Sequence, residues 1–181
     1  MPRRLRYSVA MSLDGFIADE NGGYDWIVAE TEIDFAAYMA KIDTLVMGRG
    51  TYEVAQSSGG LSFGEGITIY VVSTTLDPAE HPDVTVVSGD VEAFLADLKA
   101  KPGKDIWLFG GGVLFRSLLE AGLVDRVEVG VIPVLLGQGI GLLPGFGGAD
   151  GKAWAPLTLH SVEEMPKSGI LLLKYDVARP R

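Results

Sequence analysis

Ile106-Trp107-Leu108-Phe109-Gly110-Gly111-Gly112-Val113-Leu114-Phe115-Arg116-Ser117-Leu118-Leu119-Glu120-Ala121-Gly122 is the stretch whose reading decides the fold. It opens as a short apolar run, the pattern of a strand buried on both faces. It breaks at three consecutive glycines and resumes at helical spacing, with Leu114, Leu118 and Gly122 on one line and Phe115 and Leu119 on the next. That is strand, tight turn, helix. Glycines at a helix start let a ligand approach the backbone, and the unpaired N–H groups there favour an anion such as a phosphate. A turn that merely needs positive φ is the plainer reading, but one or two glycines would serve it.

Working outward, the same strand–glycine–helix grammar recurs. Residues 44–47 form an apolar strand that runs into Gly48-Arg49-Gly50-Thr51-Tyr52-Glu53. Arg49 offers a planar fork suited to phosphate, and Thr51 is placed either to cap the helix or to donate to a phosphate. Residues 67–72 form a third strand ending in Ser73-Thr74-Thr75. Hydroxyls there sit where open α/β sheets bind ligands, or close a local Ser/Thr turn. A strand over 84–87 precedes a helix capped by Asp90, with Val91, Phe94, Leu95 and Leu98 spaced i, i+3, i+4, i+7. Upstream, residues 5–11 form the first strand, with Tyr7, Val9 and Met11 on one face, and 12–18 continue it through a bend at Gly15. The polar loop 19–23 delivers Tyr24-Asp25-Trp26; Trp26 reads as a small core anchor or, with Asp25, as a substrate contact. Thr31 and Asp34 are expected to open a helix as N-cap and N3 residue, with Ile33, Ala36, Ala37 and Ala40 as its apolar face.

Downstream, 125–131 alternates Val127, Val129 and Val131 as a strand, and 133–141 reads as a glycine-rich loop packed on the sheet. Residues 146–152 read as a mobile loop. Residues 157–163 and 170–175, joined through Pro166 and Gly169, form an antiparallel hairpin. The fold class is therefore α/β, with a mostly parallel central sheet between helices and a C-terminal antiparallel hairpin, in one domain over 1–181.

Composition narrows the chemistry. The net charge of −9 argues against nucleic-acid and acidic-membrane partners. The chain has no cysteine and only two histidines, His81 and His160 in unrelated contexts, which disfavours a zinc site or a Ser–His–Asp triad. No metal site is expected. The start lacks the apolar core of a secretory signal, and no apolar run approaches a membrane span, so a cytoplasmic protein is expected. Three strand ends, at Gly48-Arg49, Ser73-Thr74-Thr75 and Gly110-Gly111-Gly112, can converge on one sheet edge and suit a dinucleotide. No acidic residue follows the third strand to take a ribose hydroxyl, and Arg49 with the hydroxyls suits a 2′-phosphate, so NADPH is favoured over NADH.

These residues carry a resemblance. Ser12-Leu13-Asp14-Gly15-Phe16-Ile17-Ala18, Leu119-Glu120-Ala121-Gly122-Leu123-Val124-Asp125 and Pro133-Val134-Leu135-Leu136-Gly137 resemble motifs of the riboflavin-biosynthesis reductase domain. Met47-Gly48-Arg49-Gly50-Thr51-Tyr52-Glu53 resembles a dihydrofolate reductase motif, and Phe109-Gly110-Gly111-Gly112 resembles the glycine turn the two share. The chain thus resembles the dihydrofolate reductase superfamily, on the branch of the reductase domain of the bifunctional riboflavin deaminase/reductase. That resemblance implies a dihydrofolate-reductase-like three-layer α/β/α fold and NADPH-dependent hydride transfer to a pyrimidine- or pteridine-like substrate. The activity most like it is 5-amino-6-(5-phosphoribosylamino)uracil reduction. A dihydrofolate-reductase-type enzyme and a non-catalytic NADP-binding module are the alternatives, with flavin binding behind them. By resemblance, Gly48, Arg49, Thr51, Ser73, Thr74 and Thr75 hold the adenosine phosphates. Gly110, Gly111, Gly112, Val113 and Leu114 hold the pyrophosphate, and Ala10, Ile17 and the 19–23 loop border the nicotinamide. Counting back from Met47-Gly48-Arg49 puts the substrate carboxylate of dihydrofolate reductases at Glu32, and counting forward from Trp26 puts it at Thr31. Asp14 is a second candidate proton donor, or simply makes a bend. The apolar C-terminal strands and the 133–143 extension offer a surface for a homodimer.

Overall fold

The computed structural model describes residues 3–28, 32–60, 63–64, 66–146 and 155–178. Its centre is an eight-stranded sheet. In chain order the strands are β1 (Leu5–Ser12), β3 (Ile42–Gly48), β4 (Thr68–Val72), β5 (Thr85–Val87), β6 (Asp105–Gly110), β7 (Arg126–Ile132), β9 (Leu157–Met165) and β10 (Ile170–Val177), arranged β5-β4-β3-β6-β1-β7-β10-β9. The strands from β5 to β7 pair in parallel, and β10 returns antiparallel to both β7 and β9. The helices are α1 (Phe35–Met39), α2 (Arg49–Ser57), α3 (Val91–Ala100) and α4 (Gly112–Glu120).

The strand periodicity of two sorts the chain into layers. Tyr7, Val127 and Val129 bury one face of the sheet against Leu95 and Leu98 of α3 and Phe115, Leu118 and Leu119 of α4. Ile42, Leu45, Met47 and Trp107 bury part of the other face against Tyr52 of α2 and Tyr38 of α1. A third cluster of Ile132, Met165 and Ile170 holds Trp26 and Ile33. The architecture is an α/β/α sandwich with a mostly parallel central sheet and an antiparallel C-terminal pair. Asp90 caps α3 as its sequence requires, accepting from the Ala93 N–H at 3.0 Å.

The structure departs from the sequence reading in local ways. Asp34 is the N-cap of α1, accepting from the Ala37 N–H at 2.8 Å, and not its third residue; Thr31 lies outside the described residues. With the cap there the helix is short, and Tyr38 and Met39 meet the sheet while Ala36, Ala37 and Ala40 are exposed. The chain after β1 does not continue that strand. Phe16–Ala18 (β2) breaks away and pairs antiparallel with Ile140–Gly141 (β8), so the 133–141 segment is not wholly loop. Of the 146–152 loop, only Phe146 is described.

Candidate active site

Two strand-to-helix turns lie side by side at the carboxyl edge of the sheet. β3 passes directly into α2 and β6 into α4, and a Cβ built on Gly48 would lie 4.0 Å from the Gly110 carbonyl oxygen and the Gly111 nitrogen. The N-caps are Gly48 for α2 and Gly111 for α4, and neither helix has a side-chain cap. The first-turn N–H groups of both helices are thus left for a ligand or solvent, with the positive ends of both dipoles on the same cavity. Thr51 is not the cap of α2; its hydroxyl lies against the glycine turn, where a Cβ on Gly110 would come within 3.1 Å of it and one on Gly111 within 3.3 Å. Gly110 takes a φ of +155°, and Gly112 sits so close to β8 that a Cβ would meet the Gly141 carbonyl at 2.8 Å. A bare backbone is what lets these turns meet.

The cavity has a volume of about 1640 Å³. Of the residues singled out in the sequence, Gly48, Arg49, Thr51, the run 110–114, Ala10, Ile17 and Glu32 line it. Arg49 donates to the Thr75 hydroxyl at 2.7 Å and lies 3.5 Å from Glu53, so an exposed cation and a hydroxyl stand together beside the mouth.

Other expected residues stand elsewhere. Ser73 is buried outside the cavity lining, and its hydroxyl accepts from the N–H groups of Thr75 and Leu76 at 3.1 and 3.0 Å. It closes a Ser/Thr turn and is spent on the backbone; Thr74 is exposed and outside the lining as well. Trp26 belongs to the third core cluster, its indole N–H reaching the Gly23 carbonyl at 3.3 Å, and Asp25 faces solvent; neither lines the cavity, so the substrate contact expected of the pair is corrected to an anchor and an exposed neighbour.

Asp14 does not face the pocket either. Its carboxylate accepts from the Ser12 hydroxyl at 2.6 Å and from the Leu136 and Gly137 N–H groups at 3.1 and 2.7 Å, bracing the loop after β7. The Ser12 hydrogen bond, followed by that from Gly137, holds its pKa below the ordinary carboxylate value of 3.8. The sign follows from linkage: a lowered folded-state pKa gives stability that is complete above about 3.8 and is lost as pH falls through the folded value. Asp14→Asn is accordingly expected to melt below the parent chain at neutral pH, with the gap closing under acid; a gap independent of pH in a melting series would contradict the assignment.

Glu32 precedes α1 and is not in its first turn. It accepts from the Lys167 N–H at 3.1 Å, with the Lys167 ammonium 3.8 Å away, which ties the approach to α1 to the β9–β10 turn.

The sequence reading passed over the polar end of the cavity. Arg6 and Glu128, on adjacent strands, form a buried fork in which Arg6 Nη2 donates to both carboxylate oxygens at 2.8 and 3.0 Å. Burial opposes the Arg6 charge, but Glu128, Tyr38 and Asp105 together outweigh it and raise the guanidinium above its ordinary pKa. Arg6 lies 4.7 Å from the centre of the Tyr38 ring. Burial, and then the Glu128 charge, push the Tyr38 phenol up, keeping it a neutral hydroxyl. The available signal was a charge inside each alternating apolar strand, Leu5-Arg6-Tyr7 and Val127-Glu128-Val129. Among the described residues no group of three His, Cys, Asp or Glu side chains could hold a metal ion, and no helix is long and apolar enough to cross a membrane.

Fold and edge together are those of the dihydrofolate-reductase-like class. The chain belongs to the RibD C-terminal domain family, whose sequence profile matches residues 3–168. It is 33% identical over 145 residues to the uncharacterized protein YwjB of Bacillus subtilis (strain 168), covering 78% of this chain and 83% of that one. Among solved structures it resembles a riboflavin-biosynthesis candidate protein of Shewanella sp. PV-4 (TM-score 0.80, 28% identity, 99% of this chain and 100% of that one). It shares its fold with the dihydrofolate reductase of Enterococcus faecalis, solved with NADP(H) and RAB-propyl (TM-score 0.68, 19% identity, 97% of each chain). Family and neighbours point to a reductase-type enzyme.

Proposed function

We propose that the chain is an NADPH-dependent reductase delivering hydride to a pyrimidine- or pteridine-like ring, most like a 5-amino-6-(5-phosphoribosylamino)uracil reductase. The observation that carries this reading is the pair of glycine-capped helix N-termini opening side by side onto one cavity. Two sets of unpaired N–H groups and two dipole ends suit a pyrophosphate, and the bare Gly110–Gly111 backbone leaves the approach open. Arg49, with Thr75 beside it, is an arginine fork of the kind that holds a 2′-phosphate. Single-ligand pockets span about 300–1,000 Å³; at about 1640 Å³ this one has room for a dinucleotide and a second ring together.

The cofactor supplies the hydride. The chain's part is to bind and orient: the first turns of α2 and α4 hold phosphate, Ala10 and Ile17 border the nicotinamide ring, and the sheet floor excludes water beneath it. Orientation of two bound reactants is itself a large share of such a rate. Glu32, a carboxylate among those that line the cavity, would relay a proton to the substrate. Its position also favours the second reading, a dihydrofolate-reductase-type enzyme, in which that carboxylate contacts the pteridine.

Calorimetric titration tests the cofactor reading. NADPH is expected to bind at least tenfold more tightly than NADH, or about 1.4 kcal/mol, and Arg49→Leu is expected to erase most of that preference while leaving NADH affinity nearly unchanged. Equal affinities for the two nucleotides, or a preference untouched by Arg49→Leu, would refute the 2′-phosphate assignment.

A further inference from the structure

The cavity floor runs back from the glycine edge along β1, β7 and β10 to a polar cluster beneath α1. Ser8 and Lys174 flank Glu128 as its register partners on β1 and β10, so Ser8, Glu128 and Lys174 form a row across one face of the sheet, and all three line the cavity. Arg6 and Lys174, the two cations on this floor, are already paired. Arg6 gives its fork to Glu128 and its remaining terminal nitrogen lies 3.4 Å from Asp105, while Lys174 donates to Glu163 at 2.7 Å. Lys41 stands at the exposed rim. The Arg6–Glu128 contacts occupy three of the carboxylate's roughly four lone-pair sites, since Arg6 Nε also reaches Glu128 Oε1 at 3.2 Å.

Above this floor the Tyr38 hydroxyl is buried with no hydrogen-bond partner among the described residues. Tyr7 carries the other such hydroxyl, but it is packed in the core on the opposite face, whereas Tyr38 lines the cavity. A buried hydroxyl left unpaired weakens the fold that carries it, so one facing a cavity asks for a ligand. The walls beside it are aromatic, with Trp107 5.1 Å from the Tyr38 ring and 6.0 Å from Phe35.

We propose that Glu128 and Tyr38 recognise the hydrogen-bond-donating edge of an uncharged planar ring, and that this end of the cavity rejects phosphate. The carboxylate can only accept, and about one lone-pair site remains to it, so the ligand must bring an N–H to that site. The phenol can donate to a ring nitrogen or carbonyl beside it, and the aromatic wall takes the ring face. A phosphate would meet the Glu128 charge, while Arg6 and Lys174 beside it are already held by carboxylates. The inference rests on the reductase reading in that the ring is taken to be the hydride acceptor, and it directs a phosphorylated substituent, if the substrate has one, toward the rim.

The test uses the full chain and 2-aminopyrimidin-4-one as probe, with affinity read by ligand-detected NMR and inorganic phosphate as competitor. The probe is expected to bind the parent chain and to be indifferent to phosphate. Tyr38→Phe is expected to weaken it at least fivefold while the unliganded melting temperature holds or rises, because the change removes an unpaired buried hydroxyl. A structural role for Tyr38 would not produce that split. Glu128→Gln is expected to weaken the probe at least tenfold; should it fail to fold, Tyr38→Phe decides alone. Unchanged affinity in Tyr38→Phe, displacement of the probe by phosphate, or no probe binding by a chain that binds NADPH would overturn the proposal. Probe binding as described by a chain that does not bind NADPH would support the ring site and overturn the cofactor reading instead.

Discussion

Glu128→Ala is expected to destabilise the chain by about 3–5 kcal/mol, a large part of the roughly 5–15 kcal/mol that holds a typical domain together. Arg6 and Glu128 have side chains only 6% and 5% exposed, so deleting the carboxylate strands a guanidinium that water reaches poorly. Asp105, at 3.4 Å and 27% exposed, compensates only in part. The double change Arg6→Met, Glu128→Leu removes both charges and keeps the volume, and it is expected to recover most of the loss, because a buried pair replaced by apolar groups is often close to neutral. Urea denaturation of the parent, both single variants and the double variant closes the cycle. A single-variant loss below about 1 kcal/mol would place the pair in the class of surface ion pairs and contradict the burial described above.

The second large effect is expected at Gly112. A Cβ there would meet the Gly141 carbonyl at 2.8 Å, the Leu142 carbonyl at 3.0 Å and Pro144 Cδ at 2.8 Å. Two of these are backbone atoms, so the clash cannot be relieved by a rotamer. Either the first turn of α4 or the β8 segment must move. Gly112→Ala is therefore expected to lose about 1–3 kcal/mol of stability, as overpacked sites do, and to weaken NADPH at least tenfold because the displaced turn no longer presents its N–H groups. Gly50→Ala is the contrasting control: it sits in the first turn of α2 with nothing within 4 Å of a Cβ, and it is expected to fold normally. Normal NADPH affinity in Gly112→Ala would show that the α4 turn does not hold the nucleotide.

The parts of the fold legible in the sequence were those written in local grammar. The glycine triplet between a strand and an amphipathic helix, Asp90 before its i, i+3, i+4 series, and the Pro–Gly turn of the hairpin each carry their reason within a dozen residues. The three strand ends could be grouped because parallel strands bring their carboxyl ends to one edge.

What was illegible depended on distant partners. Ser73 could equally have met a phosphate or its own backbone, and the Thr75 and Leu76 N–H groups took it. Asp14 was committed to Leu136 and Gly137, more than a hundred positions away, which nothing near Asp14 announces. Asp34 was expected as the third residue of a helix capped by Thr31, and only the first turn of α1, where it accepts from the Ala37 N–H, shows it to be the cap. Arg6 and Glu128 are each a single charge in an apolar strand and were passed over; together they are a pair, and pairing across strands cannot be read from either strand alone.

The most direct test of the central claim is a crystal structure of the full chain grown with NADPH. The pyrophosphate is expected against the first turns of α2 and α4, the 2′-phosphate at Arg49 and Thr75, and the nicotinamide ring beside Ala10 and Ile17. A dinucleotide bound elsewhere, or one whose phosphates touch neither helix N-terminus, would contradict the account.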